Sequence, residues 1–346
     1  MDIKRYYDGT KLLSLCDLDG ERPELIMCTS NRSAGKTVYF SRLCVNRWFD
    51  KKEKFCLIYR YKYELEDVSD KFYRDIANLF FRGSTMESKS QGGGIYQELY
   101  IDGENCGYAV ALNCADKIKK YSHMFSDVQR MFFDEFQSET NDYCTNEIQK
   151  FISIHTSIAR GGGKQSRFVP VYMCGNTVSI LNPYYIEMGI CDRLQDNTRF
   201  LRGHGWILEQ GFNENASIAQ KESAFNRAFA NNKYVAYSSQ AIYLNDNKAF
   251  IEKPSGRSQY LATLRYNNTD YAIRSYLDAG IIYCDTSVDT SFGEKISVTT
   301  EDHNINFVML KRNNLFLSSM RYYFDHGCFR FKDLRCKEAI LKALSY

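Results

Sequence analysis

The stretch LIMCTSNRSAGKTVYF, Leu25 to Phe40, constrains the fold more than any other part of the chain. An apolar run of strand character leads to Gly35, Lys36 and Thr37, after which Phe40, Leu43, Cys44 and Trp48 recur at helical spacing. Strand, glycine-lysine-threonine and helix, in that order, are the setting in which a phosphate loop works. Backbone N–H groups and the helix N-terminus meet phosphate oxygens, the lysine reaches the β and γ oxygens of ATP, and the hydroxyl faces Mg²⁺. The loop comprises Ser30, Asn31, Arg32, Ser33, Ala34, Gly35, Lys36 and Thr37. Its first position carries Ser30 where the strict pattern has glycine, which is tolerable only if Ser30 keeps backbone angles open to any residue.

A phosphate loop requires a parallel sheet, and the flanking sequence supplies one. Leu25–Cys28, Phe55–Tyr59, Val128–Phe133, Val169–Cys174 and Trp206–Leu208 read as short buried strands separated by helical patterns. From Asn213 to about Gln240 the chain turns polar and rich in alanine and asparagine, as a helical linker or lid would be. Beyond it Lys248–Glu252, Tyr260–Tyr266, Tyr271–Leu277 and Ile281–Cys284 read as an antiparallel meander, followed by helices over Leu315–Asp325 and Leu334–Leu344. The expected division is an ATPase domain over 1–210, a linker over 211–242 and a small α+β domain over 243–346. With 346 residues, 44% hydrophobic and 25% charged, the chain has enough apolar material for a core in each domain. The glycine tracts at Gly92 and Gly161 read as loop tips.

Several classes of function fall away on composition. No apolar run is long enough to span a bilayer and MDIKRYYDGTKLL lacks the apolar core of a signal peptide, so a cytosolic protein without a membrane partner is expected. None of the twelve cysteines forms a C-x-x-C pair, and most sit in apolar runs, which reads as buried thiols rather than a zinc or disulfide framework. A net charge of +3 confines any nucleic-acid contact to a local basic loop.

The second strand that matters is VQRMFFDEF, where an apolar run ends in Asp134 and Glu135. Asp134 suits a carboxylate that holds Mg²⁺, often through water, and Glu135 a base that orients an attacking water. These acids are expected to meet Lys36 and Thr37 across adjacent strand ends. The next apolar run ends in CGNT, so that Asn176 either senses the γ-phosphate or caps its strand as an Asx turn. Between the two runs Arg160 precedes a glycine-rich loop, either as an arginine finger reaching a neighbouring subunit or as a surface arginine.

In shared order these motifs resemble the podovirus encapsidation proteins, the DNA-packaging ATPases of small tailed phages. Arg32 matches an arginine in that family's phosphate loop, and RYK-x-EL-x-x-VS matches Arg60, Tyr61, Lys62, Glu64, Leu65, Val68 and Ser69. FDEF matches Phe133–Phe136, the finger position Arg160, and the asparagine followed by NPY matches Asn176 and Asn182–Tyr184. In the last third FIEK, VTTED and CFRF continue the match, while Ser30 and Ser33 stand where the family has glycine. The resemblance implies a P-loop NTPase domain of ASCE, RecA-like type followed by an RNase H-like domain that has lost its nuclease chemistry. The strand YLATLRY, Tyr260–Tyr266, carries no carboxylate, in keeping with that loss. It further implies ATP and Mg²⁺ as cofactors, Arg60 beside the nucleotide, and a homopentameric ring on the portal vertex of a procapsid in the host cytoplasm. Double-stranded DNA is the expected cargo and a structural packaging RNA a possible companion. Lys117, Lys119 and Lys120 fall where the family has a basic loop facing DNA or a neighbour, and read equally as a solvated cluster. A terminase-type motor with an active nuclease, a nucleotide-gated assembly protein and a helicase are the competing expectations.

Overall fold

The structure, a computed structural model, describes residues 6–344 except 162, 192, 195–197, 241–242, 245, 247 and 310–314. The chain forms two compact units, Met1–Asn245 and Asp246–Tyr346.

In the first unit, β1 (Leu25–Ser30), β2 (Lys54–Tyr59), β3 (Met86–Gln91), β4 (Tyr96–Ile101), β5 (Glu104–Ala111), β6 (Val128–Asp134), β7 (Val171–Asn176), β8 (Phe200–Gly203) and β9 (Trp206–Gln210) make one sheet. It has nine strands in the order β3-β4-β5-β2-β6-β7-β1-β9-β8. The run from β5 to β9 is parallel, and antiparallel pairing is confined to the two edges. Because side chains alternate along a strand, the parallel strands feed two cores at once, which is why they read as unbroken apolar runs. Ile26, Cys28, Leu57, Phe132, Tyr172 and Cys174 pack with Phe40, Cys44 and Trp48 of the helix Lys36–Lys51. Met27, Cys56, Met131, Phe133 and Met173 pack on the other face with Phe151, Ile154 and Ile158 of the helix Glu147–Ala159.

Three features depart from the sequence reading. The strand that leads to Lys36 and the strand that ends in Asp134 are not neighbours, since β7 lies between β1 and β6. The edge built from β3, β4 and β5 lies outside the sequence reading; polarity accounts for this only in β3, MESKSQ, since β4 and β5 are largely buried. Pro170, which has no N–H to give a ladder, delays β7 to Val171. The segment after β9 forms the helices Glu214–Glu222, Ala224–Ala228 and Lys233–Gln240 within the first unit.

In the second unit β10 (Gln259–Tyr266), β11 (Thr269–Tyr276) and β12 (Ile281–Asp285) form the antiparallel meander. The strands β13 (Lys295–Ser297) and β14 (Val308–Met309) extend it in parallel beyond β10, and β15 (Phe329–Phe331) beyond β12. A meander extended by two parallel strands next to its first member is the sheet expected of an RNase H-like domain. The helices Leu315–Asp325 and Leu334–Leu344 cover it with Leu317, Met320, Ala339 and Ile340. The expected strand Lys248–Glu252 is instead a turn in which Ile251 N–H donates to the Lys248 carbonyl at 3.2 Å. Phe250 adopts φ +67°, which leaves only a single bridge, from Ile251 to Phe331.

Candidate nucleotide site

The loop 31–35 joins the end of β1 to the helix Lys36–Lys51. Ser30 remains in extended conformation as the last residue of β1, paired with Asn176, so it needs none of the freedom of glycine. Gly35 does need it, at φ +96°, and an added Cβ would come within 3.1 Å of the Tyr6 ring. Ser33 takes φ +60° with a side chain present, a conformation that costs a non-glycine residue on the order of 1 kcal/mol.

Lys36 is buried, and its ammonium donates to Ser30 Oγ at 2.9 Å, to the carbonyls of Asn31 at 3.1 Å and Ser30 at 3.4 Å, and to Asn176 Oδ1 at 3.3 Å. Among the described residues it makes no ion pair. Burial accordingly holds its pKa below the usual lysine range. A buried cation whose hydrogen-bond acceptors are all neutral favours an anion beside it. This geometry fits phosphate.

Asp134, at the tip of β6, accepts from the Thr37 hydroxyl at 3.2 Å and from the Glu135 N–H at 3.0 Å. Burial pushes its carboxyl above the ordinary range. A half-buried carboxylate touching the loop hydroxyl is the oxygen donor set that suits a hard divalent cation. Glu135 bends the chain at φ +53° and is exposed toward a cleft of about 290 Å³ lined also by Arg32, Arg60, Glu64 and Glu139. Partial burial, then the neighbouring carboxylates of Asp134 and Glu139, raise its pKa. A second cleft, about 570 Å³, opens on the other side of the loop between Tyr6, Tyr7, Ser30, Ala34, Arg199 and Phe212.

Arg60, expected beside the nucleotide, is committed to protein groups. It is buried and bonds both carboxylate oxygens of Glu147, at 3.0 and 3.2 Å, the Phe136 carbonyl at 2.8 Å and the Glu135 carbonyl at 3.4 Å. The guanidinium thereby fastens the turn that carries Glu135. Asn176 joins the site, with Oδ1 accepting from Lys36 and Nδ2 donating to Glu139 at 3.5 Å. Arg160 does not. It lies exposed just beyond the helix Glu147–Ala159, and its Nε donates to the Thr156 carbonyl at 3.4 Å. Lys117, Lys119 and Lys120 are exposed on the crossover from β5 to β6, where Lys119 pairs with Asp116 at 3.1 Å.

The sequence reading missed the residues that join the loop to the helices after β9. Glu139 accepts from Arg32 at 2.8 Å, Tyr237 at 2.7 Å and Tyr234 at 3.0 Å. Asn31 and Asn213 exchange two bonds, at 3.0 and 2.9 Å. Glu139 stands in a polar turn, QSETND, with no periodicity to mark it; its partners come from far along the chain.

Residues 1–344 match the family described as Podovirus DNA encapsidation protein (Gp16). The chain belongs to this family. Within curated relatives it is 26% identical to the DNA packaging protein of Bacillus phage phi29 over 335 residues, covering 96% of this chain and 94% of that protein. The DNA packaging protein of Bacillus phage B103 is 24% identical over 304 residues, covering 87% of this chain and 90% of the relative. A solved structure titled the bacteriophage phi29 viral genome packaging motor assembly superposes with a TM-score of 0.69, covering 99% of this chain and 98% of the other at 23% identity. That likeness establishes that the fold of this encapsidation protein is the fold of a chain in that assembly.

Proposed function

We propose that the chain is a viral DNA-packaging ATPase, which couples ATP hydrolysis to the movement of double-stranded DNA into a procapsid through its portal. The observation that carries the reading is the meeting of Lys36, Thr37 and Asp134 at the strand tips, with Thr37 and Asp134 bonded at 3.2 Å and Glu135 next to them, in a member of the encapsidation family. Relatives of that family are named DNA packaging proteins, which supports DNA as cargo.

In this reading the loop amides and Lys36 take the β and γ phosphates, and the nucleoside lies in the cleft beside Tyr6, Tyr7 and Phe212. Thr37 and Asp134 are the residues that would hold Mg²⁺, which when bound neutralises charge on the phosphate oxygens. Glu135 accepts the proton of the water that attacks the γ phosphorus, and Arg60 with Glu147 keeps the Glu135 turn in place. Asn176, bonded to Lys36 and Glu139 together, is positioned to report the state of the γ-phosphate. Arg160 acts on the site of a neighbouring subunit in a ring of identical copies, for which five is the expected number. The exposed lysines 117, 119 and 120 are offered to DNA. Such a motor works in the host cytoplasm, on the portal vertex, and among the described residues no helix is long and apolar enough to cross a membrane.

A nuclease in the second unit has less support. Asp285, which tips β12, is bonded to Arg274 at 3.1 Å and to the Ser287 N–H at 2.6 Å, and β10, across β11 from it, carries no carboxylate. The test is protection of genomic DNA from added nuclease by procapsids supplied with this protein and ATP. Protection that requires hydrolysable ATP is expected; ATP-independent protection, or cleavage of the DNA by the protein itself, contradicts the reading.

A further inference from the structure

Three donors converge on one oxygen of Asp134. Besides the Thr37 hydroxyl and the Glu135 N–H, the thiol of Cys174 lies 2.9 Å from Oδ1. The thiol reaches it because β7 separates β6 from β1. In the ladder Cys174 stands opposite Asp134 on one side and opposite Cys28 on the other. Cys174 is completely buried, and its thiol is the donor of this contact. Oδ2 accepts no hydrogen bond from the described residues.

We propose that Cys174 is a positioning residue for the metal-facing carboxylate: its S–H, with the Glu135 N–H, pins Oδ1 so that Oδ2 stays available to the cation or its water. This rests on the nucleotide-binding reading above. Groups that orient a metal's ligands from behind typically alter metal affinity by about 10–100-fold when removed, and a thiol, being a weak donor, belongs at the low end of that range. A hydroxyl at the same position supplies the same donor. A filler residue does not.

The test compares Cys174→Ala with Cys174→Ser in the full chain. It reads half-saturating Mg²⁺ for ATP binding, affinity for ATP in excess chelator, and melting temperature. Cys174→Ala is expected to raise the Mg²⁺ requirement about tenfold with metal-free affinity unchanged, and Cys174→Ser to return it to within about twofold of wild type. Equal Mg²⁺ requirements in the two variants, or a parallel loss of metal-free affinity, overturn the inference. An independent readout needs no alanine variant. The infrared S–H band assigned by its loss in Cys174→Ser is expected at lower frequency than those of the other buried thiols, and to rise in Asp134→Asn; a band insensitive to Asp134→Asn also overturns it. A wild-type protein that binds no Mg-ATP at all defeats the nucleotide reading as well, which separates the two failures.

Discussion

Glu135→Gln leaves Mg-ATP bound and lowers steady-state hydrolysis by about 10²–10⁴-fold, the range removed with a general base. The substitution keeps the size of the side chain and its left-handed backbone, so the loop, Lys36 and Thr37 stay in place. The pH dependence gives an independent check. A base works only when ionised, and the Glu135 pKa is raised, by partial burial first and by the Asp134 and Glu139 carboxylates after it. A raised pKa means that the proton returns at a higher pH than on an ordinary glutamate. The ratio kcat/KM, which follows the free enzyme, therefore falls as pH drops through a value above the usual carboxylate range, and this acid limb vanishes in Glu135→Gln. Hydrolysis that survives the substitution would favour a nucleotide-gated assembly protein over a motor.

Arg160→Ala has an effect of comparable or larger size, about 10³–10⁵-fold, but only where subunits meet. The helix Glu147–Ala159 has 13 residues. At 1.5 Å per residue it carries the chain about 20 Å from the Glu147–Arg60 pair beside Glu135 to Arg160. An exposed guanidinium that far along the helix is expected to act on a phosphate of another copy rather than of its own, under the function proposed above. Mixing Arg160→Ala chains with wild type in assembled motors is then expected to depress ATPase below the value for simple dilution. Strictly proportional loss, or equal loss in isolated monomers, removes the finger.

What was legible in the sequence was what is local. β1, Gly35–Thr37 and the following helix are contiguous, and β6 announces Asp134 and Glu135 because a buried apolar run ends on them. Strand order is not local. Nothing near Asp134 shows that β7 slips between it and β1, yet that insertion brings Cys174 to the carboxylate. Arg60 illustrates a second limit. The family resemblance implies Arg60 beside the nucleotide, and only the buried Glu147 carboxylate, supplied by a distant helix, directs it to the Glu135 turn instead. Leaving such a buried charge without its partner typically costs about 3–5 kcal/mol, enough to fix the arrangement. Phe250 shows the third: the short apolar run inside Lys248–Glu252, next to a series of closely spaced strands, reads as one more strand, and a left-handed residue in its middle ends it.

The central claim is that Lys36, Thr37, Asp134 and Glu135 surround one magnesium-bound triphosphate. Titration calorimetry of Mg-ATP into wild type and Lys36→Ala tests it most directly, with melting temperature as the control for folding. The account predicts one site per chain in wild type, and loss of that binding in a Lys36→Ala protein that still unfolds cooperatively. No heat of binding in wild type, or equal affinity in the two proteins, contradicts it.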